Sequence, residues 1–229
     1  MKTIFKLTLF VIAVLFMSSC TPKKTTKAES NNLDSVISFE KEEKTIIINQ
    51  DSILKQFGVH VYSDSSLVIS TSKLKSNSIP NWVFKMNNLK NLTIMGMYPE
   101  YVHEDYGAYH SKKDCYRIQE IPSKIKNLTK LTSLSLPDND ILSIPLEISE
   151  IKNLKGINLS NNPKFNDITV IEKLVSLEFL SLSGCHLTEM PSNIGALKHL
   201  KELDLTGNSI TKKEQIRIKK ALPNCNIRF

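Results

Sequence analysis

A chain of 229 residues with 41% hydrophobic content and only 7 glycines has the length for one globular or solenoid domain, with short segments set apart at its N-terminus. Its formal charge is +7, which becomes +5 (28 basic minus 23 acidic) once Lys2 and Lys6 are removed with the leader described below. That balance is mild, and no basic stripe interleaved with aromatics accompanies it, so nucleic acid is not an expected partner.

Lys2 and Lys6 open the chain, and a largely apolar run of 11 residues, Leu7 to Met17, follows before Ser18-Ser19-Cys20. A spanning helix needs about 20 apolar residues, so residues 1–19 are expected to be a signal peptide. The two small residues before a cysteine resemble a bacterial lipobox, with Met17 standing where leucine is usual. That resemblance implies cleavage before Cys20 and a lipid on its thiol. The open alternative is an ordinary secretory leader in which Cys20 is incidental.

Residues 20–39 include Thr21-Pro22-Lys23-Lys24-Thr25-Thr26-Lys27, which is polar, aperiodic and free of aromatics. This composition suits a flexible tether. In lipoprotein sorting, a residue other than Asp after the cysteine, here Thr21, implies transfer to the outer membrane. The basic tether lacks the acidic stretch that some groups use for surface export. The expected location is therefore the periplasmic face of the outer membrane. Residues 40–66 read as an N-terminal cap, with strands at Thr45–Ile48 and Val59–Tyr62 around a short helix from Ser52 to Phe57.

From residue 67 to 210 the chain repeats itself. Leu131, Leu154, Leu177 and Leu200 are 23 residues apart. Each opens one phrase: Leu131-x-x-Leu134-x-Leu136-x-x-Asn139, Leu154-x-x-Ile157-x-Leu159-x-x-Asn162, Leu177-x-x-Leu180-x-Leu182-x-x-Cys185 and Leu200-x-x-Leu203-x-Leu205-x-x-Asn208. Leu89-x-x-Leu92-x-Ile94-x-x-Met97 is an earlier copy without the Asn, and Leu67-x-Ile69 a weaker one. A second phrase keeps step: Ile79-Pro80, Ile121-Pro122, Ile144-Pro145 and Met190-Pro191, with Asp167-Ile168 in the fourth unit. Apolar pairs such as Ile125/Leu128 and Ile148/Ile151 then mark one face of a short helical turn, for which Pro suits the first position.

These phrases resemble the leucine-rich repeat family, specifically its proline-containing class of 23 residues, over roughly residues 65–229. The expected fold is α/β: a solenoid with a curved parallel sheet on its concave side and short helical turns on its convex side. In Leu-x-Leu both leucines face inward from a short strand, and only stacking of units buries them, at roughly 1.5–3 kcal/mol per side chain. Asn139, Asn162 and Asn208 fall where each strand bends away, where an inward amide satisfies buried backbone groups. Cys185 takes that place in its unit, a structural substitute known in the family.

The period fails once. Leu89 to Leu131 is 42 residues, so 19 have been added, within 98–117. That insert holds Tyr98, Tyr101, Tyr106, Tyr109 and Tyr116, five of the six tyrosines. Insertions in solenoids emerge as loops, and Tyr gives large contact area at low entropic cost, so the insert is a candidate recognition element. Its alternative role is to cover the imperfect second unit. The outward strand positions are a second candidate surface: Asn91, Thr93, Ser133, Ser135, Gly156, Asn158, Phe179, Ser181, Glu202 and Asp204. Phe179 is the aromatic anchor among them, and Glu202 with Asp204 forms an acidic spot.

Other chemistry is weak. His103, Glu104, Asp105, His110 and Asp114 match no established metal-ligand spacing, and Ser111 lacks a nucleophile turn. Neither a metal nor a cofactor is expected. Cys115, Cys185 and Cys225 leave at least one thiol unpaired in a monomer, with no pairing readable. Residues 211–229 read as a C-terminal cap: a capping box at Thr211-Lys212-Lys213-Glu214, a helix stopped by Pro223 and a final edge strand. The expected function is a membrane-anchored module of the bacterial envelope that binds a protein partner. The alternatives are an envelope enzyme with its site in the insert, and a structural or adhesive lipoprotein contacting glycan.

Overall fold

The computed structural model describes residues 60–63, 65–96 and 116–229. The alternation of inward and outward residues gives eight strands among them: β1 (His60–Ser63), β2 (Ser66–Ser70), β3 (Asn91–Met95), β4 (Ser133–Ser135), β5 (Gly156–Asn158), β6 (Phe179–Ser181), β7 (Glu202–Asp204) and β8 (Asn226–Arg228). They form one sheet in sequence order. β1 is antiparallel to β2, and every later pair is parallel. The register sets Leu67, Leu92, Leu134, Ile157, Leu180, Leu203 and Ile227 side by side. All but Ile227 are buried, because each lies between the coil before it and the coil after.

On the convex side each coil returns through a 3-10 turn: Val83–Lys85, Ser123–Asn127, Leu146–Glu150, Ile171–Lys173 and Ile194–Ala196. The prolines do not occupy the first helical position that the spacing suggests. Pro122 and Pro145 are the extended N-cap residues, with ψ of 149° and 146°. Their carbonyls accept the first turn bonds, from Ile125 N at 2.9 Å and Ile148 N at 3.1 Å. Pro80 and Pro191 accept likewise from Val83 N and Ile194 N. A residue with no N–H to donate loses nothing there, and its fixed φ holds the extended entry.

The fourth coil departs from the others. Ile168 takes the acceptor role of the proline, receiving Ile171 N at 3.1 Å. Lys164 and Asp167, which have the spacing of Ile141 and Ile144, are exposed. Phe165 turns inward instead and is only 2% exposed. The turn Asn162-Pro163-Lys164-Phe165, closed by Phe165 N to Asn162 O at 3.0 Å, supplies the local slip. One large ring thus occupies core space that two isoleucines fill elsewhere.

The strand Thr45–Ile48 and the helix Ser52–Phe57 expected of the N-terminal cap lie outside the described residues. Helix α1 (Thr71–Leu74) follows β2, and α2 (Lys212–Ala221) closes the other end. Thr211 caps α2 through Glu214 N at 3.3 Å, which is half of a capping box. The Glu214 carboxylate turns instead to Met190 N, at 3.0 Å. Ile218 and Leu222 are buried, whereas Ile216 is 69% exposed. The end of α2 lies against the last convex turn, where a methyl group on Gly195 would stand 3.2 Å from Ala221 O.

Candidate functional site

Beyond β4, β5, β6 and β7 the chain bends through a residue with positive φ: Asp138 (59°), Asn161 (56°), Gly184 (63°) and Gly207 (70°). The residue after it is the ladder position. Asn139 Nδ2 donates to Ile94 O and Pro137 O, both at 2.9 Å, and its Oδ1 accepts from Ile118 N at 2.8 Å. Asn162 reaches Leu136 O and Leu159 O, both at 2.9 Å, and accepts from Ile141 N at 2.9 Å. Asn208 donates to Leu182 O at 2.7 Å and accepts from Cys185 N and Leu187 N. Each amide therefore staples its own bend to the preceding coil. Cys185 keeps only the donor half, its thiol bonding Leu159 O at 3.1 Å. Burial pushes that thiol up to about 11, with a hydrogen bond from Asn162 opposing.

The outward side chains form two rows across the sheet. The first runs Ser66, Asn91, Ser133, Gly156, Phe179, Glu202, Asn226. The second runs Val68, Thr93, Ser135, Asn158, Ser181, Asp204, Arg228. Several polar groups of the second row are engaged within the fold. Asn158 Oδ1 accepts from Ser160 N at 2.9 Å, and Ser160 Oγ meets Ser181 Oγ at 2.8 Å. Asp204 pairs with Arg228 at 2.8 Å and accepts from Thr206 N and Oγ1.

The two carboxylates of the acidic spot therefore differ. Asp204 is committed within the fold, with a side chain 14% exposed, whereas Glu202 is exposed. Beside Glu202, Phe179 lies next to Gly156, where an added methyl would be 3.9 Å from Phe179 Cδ1 and 3.8 Å from Ser133 Oγ. Gly156 thus leaves a notch one side chain wide, floored by backbone and walled by an aromatic ring and a hydroxyl. That notch, Phe179 and Glu202 make the candidate contact surface, and Arg228 flanks it. Sequence spacing identifies Phe179 and Glu202 but not Arg228, which lies in a terminal strand outside the repeat phrase.

Of the insert tyrosines, Tyr98, Tyr101, Tyr106 and Tyr109 lie outside the described residues, as do Cys20, Cys115 and the His103–Asp114 group. Tyr116 is half-buried, and its carbonyl accepts from Thr71 Oγ1. Arg117 N donates to Asn77 Oδ1 at 3.0 Å, and its guanidinium pairs with Asp140 at 3.2 Å. Lys164 holds the other Asp140 oxygen at 3.0 Å. The exit of the insert is therefore fixed to the rim by a nearly buried carboxylate between two cations, a cluster not visible in the repeat phrases.

A convex-side cleft is lined by Ile168, Glu172, Glu189, Met190, Glu214 and Arg217. Arg217 is saturated by Glu214, at 2.6 and 2.7 Å, and by the carbonyls of Met190, Pro191 and Ser192. The cleft is thus the seam where α2 is clamped to the last repeat. Among the described residues no group of three or more His, Cys, Asp or Glu is placed to hold a metal ion, and no helix is long and apolar enough to cross a membrane.

The stacked parallel strands, the registered leucines and the Asn ladder define a leucine-rich repeat solenoid. Residues 129–187 match the family model described as Leucine rich repeat, and residues 175–217 match Leucine Rich repeats (2 copies). Among solved structures, a leucine-rich repeat protein of Leptospira interrogans is 35% identical with a TM-score of 0.54, over 66% of this chain and 34% of that one. The chain thus spans about a third of that relative's length. The receptor kinase HAESA of Arabidopsis, solved with the peptide hormone IDA and the co-receptor SERK1, is 25% identical with a TM-score of 0.44, over 66% of this chain and 22% of that one. An internalin of Listeria monocytogenes is 17% identical with a TM-score of 0.42, over 68% of this chain and 45% of that one. A search of curated proteins returns no match. Leucine-rich repeat proteins generally mediate protein–protein interaction.

Proposed function

We propose that this chain is a membrane-anchored protein-interaction module of the bacterial cell envelope, which seats a protein partner on its concave face. The observation that carries the reading is the Gly156 notch beside Phe179, with exposed Glu202 next along the row. A rigid sheet offering one aromatic anchor, a vacancy beside it and a charge at its margin suits a protein hot spot. Repeat folds supply extended surfaces of this kind, and the partner is a property of the site rather than of the fold.

The anchor in this reading is a lipid on Cys20, and the location is the periplasmic face of the outer membrane. The leader and Cys20 support it, together with Thr21 and the basic tether. Incorporation of an alkyne-tagged fatty acid, abolished by Cys20→Ser, tests the anchor. Protease shaving of intact cells tests the side, since removal of the protein would place it outside.

A photo-crosslinking residue at position 179 in cells tests the contact surface. The expected result is one discrete product, lost when Gly156→Arg fills the notch. Products from the convex position 146 but none from 179 would overturn the reading.

A further inference from the structure

The two edges of the sheet, where chain enters and leaves each strand, differ in charge. On the entry edge each coil makes a tight turn closed by Leu89 N to Met86 O, Leu131 N to Leu128 O, Leu154 N to Ile151 O, Leu177 N to Leu174 O and Leu200 N to Leu197 O, at 2.9–3.1 Å. The coils are stitched there by Thr132 N to Lys90 O, Lys155 N to Thr132 O, Glu178 N to Lys155 O and Lys201 N to Glu178 O, at 2.7–2.8 Å. The turn residues and those just before the strands therefore stand in straight rows. Their charged members are Lys90, Lys130, Lys152, Lys155, Lys198, Lys201 and one acid, Glu178, a net of 6 − 1 = +5. All six lysines are exposed. Lys155 and Lys201 share Glu178, whereas Lys130 bonds Asn88 Oδ1 and Lys152 bonds Ser149 O, neutral partners that leave their charge uncompensated.

On the exit edge the equivalent bends, 136–140, 159–163, 182–186 and 205–209, contain Asp138 and Asp140 and no lysine or arginine, and Arg117 and Lys164 beside them pair with Asp140, so that edge has no basic excess. The coil is thus polarised across its width. A second observation concerns Val175. It occupies the turn position between Lys152 and Lys198, at the same 23-residue interval, and is 53% exposed.

We infer that the lysine-bearing entry edge docks on an anionic phospholipid bilayer. Rows four strand intervals long extend about 19 Å, a flat footprint suited to a surface rather than to a pocket. Lysines are flexible point charges that follow a diffuse layer of headgroups. They are not interleaved here with the aromatic platforms that single-stranded nucleic acid requires. Val175 in the middle of the row adds an apolar contact at headgroup depth. This inference rests on the membrane-anchored reading and extends it: the lipid would bring the domain to the bilayer, and the edge would orient it.

The test uses the mature chain, residues 20–229, carrying Cys20→Ser, so that neither leader nor lipid contributes, with phosphatidylglycerol-rich vesicles and with purely phosphatidylcholine vesicles. The unlipidated protein is expected to sediment with the first and not the second, and to be released by added salt. The triple variant K130E/K152E/K198E should bind about 100-fold more weakly, at roughly fivefold per lysine. The charge-matched control K212E/K213E/K220E, on α2, should bind as the parent does. Equal binding by the two variants, insensitivity to salt, or retention on heparin without binding to vesicles would overturn the inference. The salt series needs no variant, so it decides even if charge reversal impairs folding. Failure here leaves the fatty-acid labelling and position-179 crosslinking unaffected, so the two readings fail separately.

Discussion

The N–H of Phe165 donates to Asn162 O at 3.0 Å, and Cys185, the ladder residue of the next coil, offers no side-chain oxygen to it. In the other bends Ile118, Ile141 and Leu187 give their N–H to Asn139, Asn162 and Asn208. The proline turn in the fourth coil and the loss of the ladder oxygen thus occur together, each making the other tolerable. Cys185→Asn is accordingly expected to destabilise the protein by about 1–3 kcal/mol, because the larger amide must enter a bend already closed by Phe165 N to Asn162 O. Asn162→Ala should cost about 3 kcal/mol, since it strands Ile141 N and carbonyls of two coils. Urea midpoints of the two variants check the order, and a stabilised Cys185→Asn would refute this account.

Two glycines should respond oppositely to alanine. A methyl group on Gly96 would lie 1.6 Å from Asp138 O, so the backbone must move, and about 3 kcal/mol or more should be lost. Gly156→Ala meets its nearest atoms at ordinary contact distance and should leave the thermal midpoint almost unchanged. It should nevertheless weaken crosslinking from position 179, because the notch narrows.

Alkaline pH should erode stability through the thiols. Cys185 is pushed up to about 11 by burial, and Cys225 to about 11 by burial and then by the charge of Glu202. Their contribution is intact below the ordinary value of 9.0 and is lost as pH rises toward about 11. A Cys185→Ala/Cys225→Ala double variant should show a flatter profile over that window in chemical denaturation. Native-state labelling at neutral pH should reach Cys185 only as the protein opens.

Acid acts on the α2 clamp. The Arg217 guanidinium holds the Glu214 carboxyl below its ordinary 4.5, assisted by Met190 N. A carboxylate depressed in the fold stabilises it above the unfolded value, and that contribution disappears as pH falls through the folded one. Arg217→Ala should cost about 1–2 kcal/mol at neutral pH, given partial exposure, and should lose most of that penalty in acid. Hydrogen exchange should locate the change in residues 212–228, not in the central strands.

The coil period was legible because inward leucines recur at a fixed interval, and burial tolerates little else at those sites. Leu131, Leu134 and Leu136 are all 0% exposed. The slip at Phe165 was not legible, since nothing in Asn162-Pro163-Lys164-Phe165 announces which side chain turns inward until the stack around it exists. Phe179 and Glu202 could be placed on the outer face by alternation alone. Their inequality with Asp204 depends on Arg228 and Thr206, contacts that no periodicity encodes. The charge polarity of the edges was likewise hidden, because its lysines are dispersed in sequence and aligned only by stacking.

The 42-residue interval between Leu89 and Leu131 leaves β3 and β4 paired as tightly as their neighbours, Leu92 opposite Leu134. Gly96 N bonds Pro137 O at 3.0 Å before the added segment, and Tyr116 O is held by Thr71 at its end. The chain thus possesses a natural splice joint. Doubling a loop costs only about 0.6 kcal/mol in closure entropy, so foreign sequence grafted between these two clasps should be carried as cargo by an otherwise indifferent frame.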